Sequence, residues 1–120
     1  MFSICLQVFF QGIFVGFSEE MLMRPAIHRT LQQILPAHFR FFKWKCSNAM
    51  VITAILFGVL HFGNLGRQPI AINLLNVVYA TIIGIIIGIY YEKTKSFIGS
   101  VIIHNFIDIT GVLNVIIVSL

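Results

Sequence analysis

Apolar residues run along the chain in four long blocks, broken by three short polar or turn-forming stretches. The blocks are 2–35, 46–61, 70–91 and 97–120, and the breaks fall at 36–45, 63–69 and 92–96. Apolar runs near the roughly 20 residues that cross a bilayer predict helices at membrane depth. The pattern therefore predicts an all-α fold, a polytopic helical membrane bundle of about four transmembrane helices in a single domain over residues 1–120. The first block as one helix would be roughly 50 Å long, more than the ~30 Å hydrocarbon core, so it must tilt, bend or lie partly in the interface. Pro25, without an N–H and with its ring against the preceding turn, is the expected bend. Beyond it, Ile27, Leu31, Ile34 and Leu35 alternate with His28, Arg29, Gln32 and Gln33, which predicts an amphipathic stretch at the membrane surface or against another helix, with His28 and His38 among surface-like residues and uninvolved in chemistry.

The break at 36–45 carries Arg40, Lys43 and Lys45 among Phe39, Phe41, Phe42 and Trp44, and reads as a loop at a cytoplasmic interface with an aromatic belt. The third block is the cleanest span, and its Gly84 and Gly88 offer a small-residue face for helix contact. Gly12 and Gly16 repeat that spacing in the first block and read as packing features. Asn73, Asn76 and Asn114 are candidates for interhelical hydrogen bonds.

Composition supports the membrane reading. The chain is 58% hydrophobic, carries 8 Lys and Arg against 4 Asp and Glu, and has a mean hydropathy of +0.96, far from a soluble average. In such a chain the excess of cations speaks to topology. Arg29, Arg40, Lys43, Lys45, Lys93 and Lys95 oppose Arg67 alone, which predicts both termini outside and the two basic turns in the cytoplasm. No basic and aromatic platform points to nucleic acid. The start of the chain lacks a basic n-region and a small-residue cleavage site, so the first helix is expected to stay in the mature protein. Cys5 and Cys46 match neither a metal nor a disulfide spacing and read as small apolar fillers.

Ionisable residues inside apolar sequence are costly and mark function. Glu19, Glu20 and Arg24 interrupt the first block, His61 ends the second, and His104 and Asp108 interrupt the fourth. Glu20 and Arg24 are four apart on one helical face and can neutralise each other, which leaves Glu19 to face something else. His104 and Asp108 likewise share a face. Depths counted from the basic turns allow Glu19, His61, His104 and Asp108 to converge with ordinary helix tilts. Such a set suits amide hydrolysis: a partly desolvated carboxylate activates water, a histidine holds that water or carries its proton, and a second histidine with a partner steadies the oxyanion. The same four residues could instead hold a divalent metal such as zinc, since two histidines and a carboxylate form a known catalytic set. The chain has no HExxH or GxSxG, and no cysteine near these histidines.

Glu19-Glu20-Met-Leu-Met-Arg24 matches EExxxR, Phe57-Gly-Val-Leu-His61 matches FxxxH, and His104-Asn-Phe-Ile-Asp108 matches HxxxN/D. In this order and spacing the chain resembles the family of type II CAAX prenyl endopeptidases and bacteriocin-processing proteins, also called CPBP or Abi proteins, with a motif core over 16–112. The resemblance implies an intramembrane endopeptidase that cleaves a membrane-associated substrate, of CAAX type or a bacteriocin or leader peptide, in a multi-pass protein of the bacterial plasma membrane. It implies Glu19 as the water-activating base with His61 assisting, His104 and Asp108 on the oxyanion side, and Glu20 and Arg24 as structural support. The family pattern often has Asn where this chain has Asp108, which must be protonated to face an oxyanion or else favours a metal-ligand role. Two other classes fit some of the residues: a non-catalytic bacteriocin self-immunity protein, and a small proton-coupled multidrug transporter that would use the first-block glutamate and leave the histidines idle.

Overall fold

The computed structural model describes residue 6 and residues 8–64 and 68–118. Cys5 and Arg67 lie outside the described residues, as does the Asn114 side chain. The first helix, α1, runs over residues 8–34 and changes its winding along the way. Gly16–Met21 and Arg29–Ile34 are α-helical, while Gln11–Val15 and Leu22–His28 are π-helical. Then come two short strands, β1 (His38–Phe41) and β2 (Trp44–Ser47), and three helices, α2 (Asn48–Leu60), α3 (Ile70–Thr94) and α4 (Phe97–Val118), with one 3-10 turn at His61–Asn64 after α2.

Pro25 does not break α1. It sits inside the π-helical Leu22–His28, where the wider winding accommodates a residue that cannot donate, and the chain re-enters the α-helix at Arg29, whose N–H reaches the Arg24 carbonyl five residues back. The two wide turns bracket the short α-helical piece that carries Glu19 and Glu20.

The break at 36–45 is not a loop, which corrects the expectation from its composition. β1 and β2 form an antiparallel hairpin with Arg40 opposite Lys45 and Phe41 opposite Trp44. Ser47 ends the hairpin and starts α2, its Oγ accepting from the Met50 N–H at 3.1 Å as an N-cap.

Small residues set the helix contacts. Gly84 and Gly88 of α3 face Ala54 and Met50 of α2, so α2 and α3 run antiparallel with their backbones close. A side chain at Gly16 would collide with Asn105, and one at Gly12 with Ile109, which lays α1 antiparallel to α4. Contacts from residue 24 to 84 and from residues 28 and 32 to 92 run α1 parallel to α3. Phe57, Met23 and Ala80 form the buried apolar centre where α1, α2 and α3 meet.

Among the described residues, α3 is the one helix long and apolar enough to cross a membrane, with a mean hydropathy of 2.3 over 18 residues. α2, at 13 residues, spans only about 20 Å. Large apolar side chains cover the outside of every helix, among them Phe14, Leu75, Ile98 and Phe106, each about half exposed or more. An apolar exterior of this extent is that of a protein whose surroundings are not water.

The stretch after Pro25 packs against another helix, the second of its two expected placements, although His28 is not at the surface. His28 is fully buried and Gln32 partly so, while Ile34 is 67% exposed. His28 and Gln32 face the protein while Arg29 and Gln33 are exposed, and Glu92 accepts from His28 Nε2 at 3.0 Å and from Gln32 Nε2 at 2.9 Å. The same carboxylate accepts from the Ser47 N–H at 3.0 Å and from the Ser47 hydroxyl. Glu92 therefore ties α1, the end of β2 and the start of α2 to the end of α3. Next to it Cys46 is buried, and desolvation pushes its thiol up from its ordinary range, as befits a filler.

Candidate active site

Glu20 is the anchor of the second polar cluster. It is fully buried, and its Oε2 accepts from Arg24 Nε at 2.7 Å, the pairing that the four-residue spacing predicts. Arg24 in turn lies at the glycine face of α3, with Nη2 3.4 Å from the Gly84 carbonyl oxygen. The other oxygen of Glu20 is 3.0 Å from His104 Nδ1. That contact is absent from the expectation, which paired His104 with Asp108 and confined Glu20 to Arg24.

A carboxylate held by an arginine accepts hydrogen bonds, so Nδ1 of His104 carries the proton and Nε2 points away from Glu20. Nε2 stands between two further carboxylates, 3.4 Å from Glu19 Oε2 and 3.7 Å from Asp108 Oδ2. Both oxygens are buried without a hydrogen bond, although the side chains are 35% and 25% exposed. Buried atoms on Arg24, His28, Asn73 and Asn105 are in the same state, so what sets these two oxygens apart is their place beside His104 Nε2.

His61 approaches from the other side. It caps α2, and its Nδ1 is 2.8 Å from the Phe57 carbonyl oxygen. A carbonyl only accepts, so His61 also carries its proton on Nδ1 and presents a basic Nε2. The Phe57 ring stands edge-on to both imidazoles, its centroid 4.7 Å from that of His61 and 5.4 Å from that of His104. Phe57 is the first position of the FxxxH motif, and the structure gives it a reason: it is the spacer that fixes the two rings. The expectation did not count it among the functional residues, although its place four residues before His61 was a usable signal.

Two cavities open beside these groups. One of about 330 Å³ is lined by Glu19, Leu22, Met23, Phe57, Leu60, His61 and Gly63. The other, about 190 Å³, is lined by Asn76, Tyr79 and Ile83 together with Phe57, His61, His104 and Asp108. Glu19 and His61 share the first, His61, His104 and Asp108 the second, and Phe57 and His61 stand between them. Asn76 and Tyr79 had no expected role at the site. Asn76 and Asn73 hydrogen-bond locally to Gln68 rather than between distant helices.

Among the described residues no group of three His, Cys, Asp or Glu side chains is arranged to hold a metal ion. Nδ1 of each histidine is engaged, by Glu20 or by the Phe57 carbonyl, so each presents only its Nε2 to a ligand. The metal alternative for Glu19, His61, His104 and Asp108 thus draws no support from this arrangement.

Residues 1–110 match the family model described as type II CAAX prenyl endopeptidase Rce1-like. The chain belongs to this family. The match includes all three motifs and makes the protein one of a membrane-embedded family of CAAX-type proteases. It lends no support to the self-immunity or transporter classes. No curated protein and no solved structure matches the chain. Membership in the Rce1-like family leaves the roles of individual residues to be argued from their geometry.

Proposed function

We propose that the protein is a multi-pass intramembrane endopeptidase that hydrolyses a peptide bond near the end of a CAAX-type, membrane-associated substrate, with Glu19 as the general base. The observation that carries this reading is the state of Glu19: one oxygen buried without a hydrogen bond, 3.4 Å from His104 Nε2, at the edge of a cavity shared with His61.

Water in that cavity hydrogen-bonds to Glu19 and to the basic Nε2 of His61. Glu19 takes its proton as the water oxygen bonds to the scissile carbonyl carbon. The carbonyl oxygen becomes an oxyanion on the side of His104 and Asp108. Glu20 holds His104 by Nδ1, and when the ring is protonated on both nitrogens its Nε2–H donates to the oxyanion, with a protonated Asp108 as a further donor. Collapse of the tetrahedral intermediate breaks the C–N bond, and the proton held by Glu19 passes to the leaving amine. Apolar walls at Leu22, Met23 and Leu60 accept the lipid-facing part of the substrate from within the bilayer. Four membrane-embedded helices, with α1, α2 and α4 alongside the clear span α3, complete this arrangement.

The test is cleavage of a fluorogenic prenylated CAAX peptide, with a double-glycine leader peptide for comparison, by the full chain in detergent and by Glu19→Ala. The proposal expects cleavage of the prenylated peptide by the wild type and its loss in the variant. Cleavage that survives in Glu19→Ala, or that is confined to the leader peptide, overturns it.

A further inference from the structure

The hairpin after α1 has a chemistry that the proteolytic reading does not use. Residues directly opposite in an antiparallel pair share a face, so Arg40 and Lys45 stand side by side, with His38 next to them, while Phe39, Phe41 and Trp44 occupy the other face. Like charges set opposite each other repel, and a hairpin built this way calls for an anion. The chain cannot supply one. Its 4 Asp and Glu are Glu19, Glu20, Glu92 and Asp108. Three of them surround His104, and Glu92 is held by His28, Gln32 and Ser47. Among the described residues no ion pair involves Arg40, Lys43 or Lys45. Instead these cations, with His38 and Phe39, line an open cavity of about 450 Å³.

The anion is identified by what lies around the cavity. Phe42 at the turn holds a left-handed φ of 53°, which disfavours a bulky residue, and is 85% exposed. Phe41 and Trp44 are exposed as well, at 48% and 41%. Lys93, at the end of the span α3, sits 3.9 Å over the Trp44 ring, and Glu92 beside it holds the base of the hairpin through Ser47. The hairpin is thus fixed at the end of a membrane-crossing helix, with aromatic rings and cations together, the arrangement that a bilayer interface selects. A soluble acidic peptide would have no use for the exposed aromatic face.

We propose that the Arg40–Lys43–Lys45 face of the hairpin binds the anionic headgroups of membrane phospholipids, with Phe42 and Trp44 seated at the boundary between headgroups and acyl chains.

Trp44 is the only tryptophan in the chain, so its fluorescence reports on the hairpin alone. The full chain is reconstituted in vesicles in which either phosphatidylglycerol or phosphatidylcholine carries brominated acyl chains, at equal mole fraction. Quenching of Trp44 should be stronger from brominated phosphatidylglycerol, and the difference should shrink at high ionic strength. Replacing Arg40, Lys43 and Lys45 by Gln should reduce the preference by roughly fivefold per cation, with the helical circular dichroism retained. Equal quenching by the two lipids overturns the proposal, as does a preference insensitive to salt, which is read on the wild type and needs no variant to fold. Loss of the preference in inorganic phosphate but not in chloride of equal ionic strength would make a free anion the ligand and equally overturn it. So would an acidic peptide that shifts Trp44 emission more than the anionic lipid does.

Discussion

Two polar clusters are buried in this protein, and they differ in how completely they are satisfied. Around Glu92 both carboxylate oxygens are occupied, by His28, Gln32 and the hydroxyl and N–H of Ser47, and only His28 Nδ1 is left without a partner. Around His104 the inner half holds Glu20 to Arg24 and His104, with Arg24 Nη1 left without a partner, while in the outer half Glu19 Oε2 and Asp108 Oδ2 have no hydrogen bond and both residues line cavities. The first cluster joins helices. The second leaves acceptors unpaired beside cavities, which costs stability in a low-dielectric interior and is what the proposed reception of substrate and water would use. Burial of charge is therefore common to both clusters, and unpaired oxygens beside cavities distinguish the candidate site.

Changes in the outer half should remove activity and leave the fold. His61→Ala should lower kcat for the prenylated peptide by about 10²- to 10⁴-fold, the range for loss of a positioned acid–base group, with no fall in thermal midpoint in detergent. If kcat stays within tenfold of the wild type, the outer half does not serve as described. Changes in the inner half should act the opposite way. Arg24→Met leaves Glu20 buried and uncompensated, and breaking such a pair costs about 3–5 kcal/mol, so little folded protein should survive extraction. A variant that purifies with a wild-type thermal midpoint contradicts the role given to Arg24.

The Glu92 cluster should respond more mildly. Glu92→Gln removes an acceptor from among His28, Gln32 and Ser47 at about 1–3 kcal/mol, seen as a lower thermal midpoint, while cleavage per folded molecule stays close to wild type. Loss of cleavage in a still-folded Glu92→Gln would erase the distinction between the clusters. The smallest effect belongs to Cys46→Ala, which deletes one buried sulfur beside Glu92 at about 1 kcal/mol and should change neither cleavage nor its response to thiol reagents.

Much of the site was legible in the sequence, because its residues interrupt apolar blocks and fall at helical spacing. The Glu20–Arg24 pair follows from four-residue spacing, and α3 and α4 begin at the expected Ile70 and Phe97. What was not legible depended on distant partners. His28 and Gln32 read as part of an amphipathic stretch at the surface or against another helix, and their spacing could not name Glu92 as the group they reach. Glu92 itself read as part of a turn because its partners lie at least 45 residues away. The hairpin did leave a local signal, the period-two alternation His-Phe-Arg-Phe. Phe42-Lys43 lacks the glycine or asparagine of a tight turn, however, and the stretch read as a loop. The contact between Glu20 and His104 spans 84 residues and crosses two motifs, so no spacing within either could reveal it.

The account rests on Glu19 as a group kept free for chemistry, and its most direct test is a paired measurement on Glu19→Gln: kcat for the prenylated peptide, and thermal midpoint in the same detergent. The account predicts that cleavage falls by about 10²-fold or more while the midpoint holds or rises, since an unsatisfied buried carboxylate has been replaced by a neutral group of the same shape. Cleavage near the wild-type rate, or a midpoint that drops as Glu92→Gln is expected to make it drop, would show that Glu19 belongs to the structural kind of cluster.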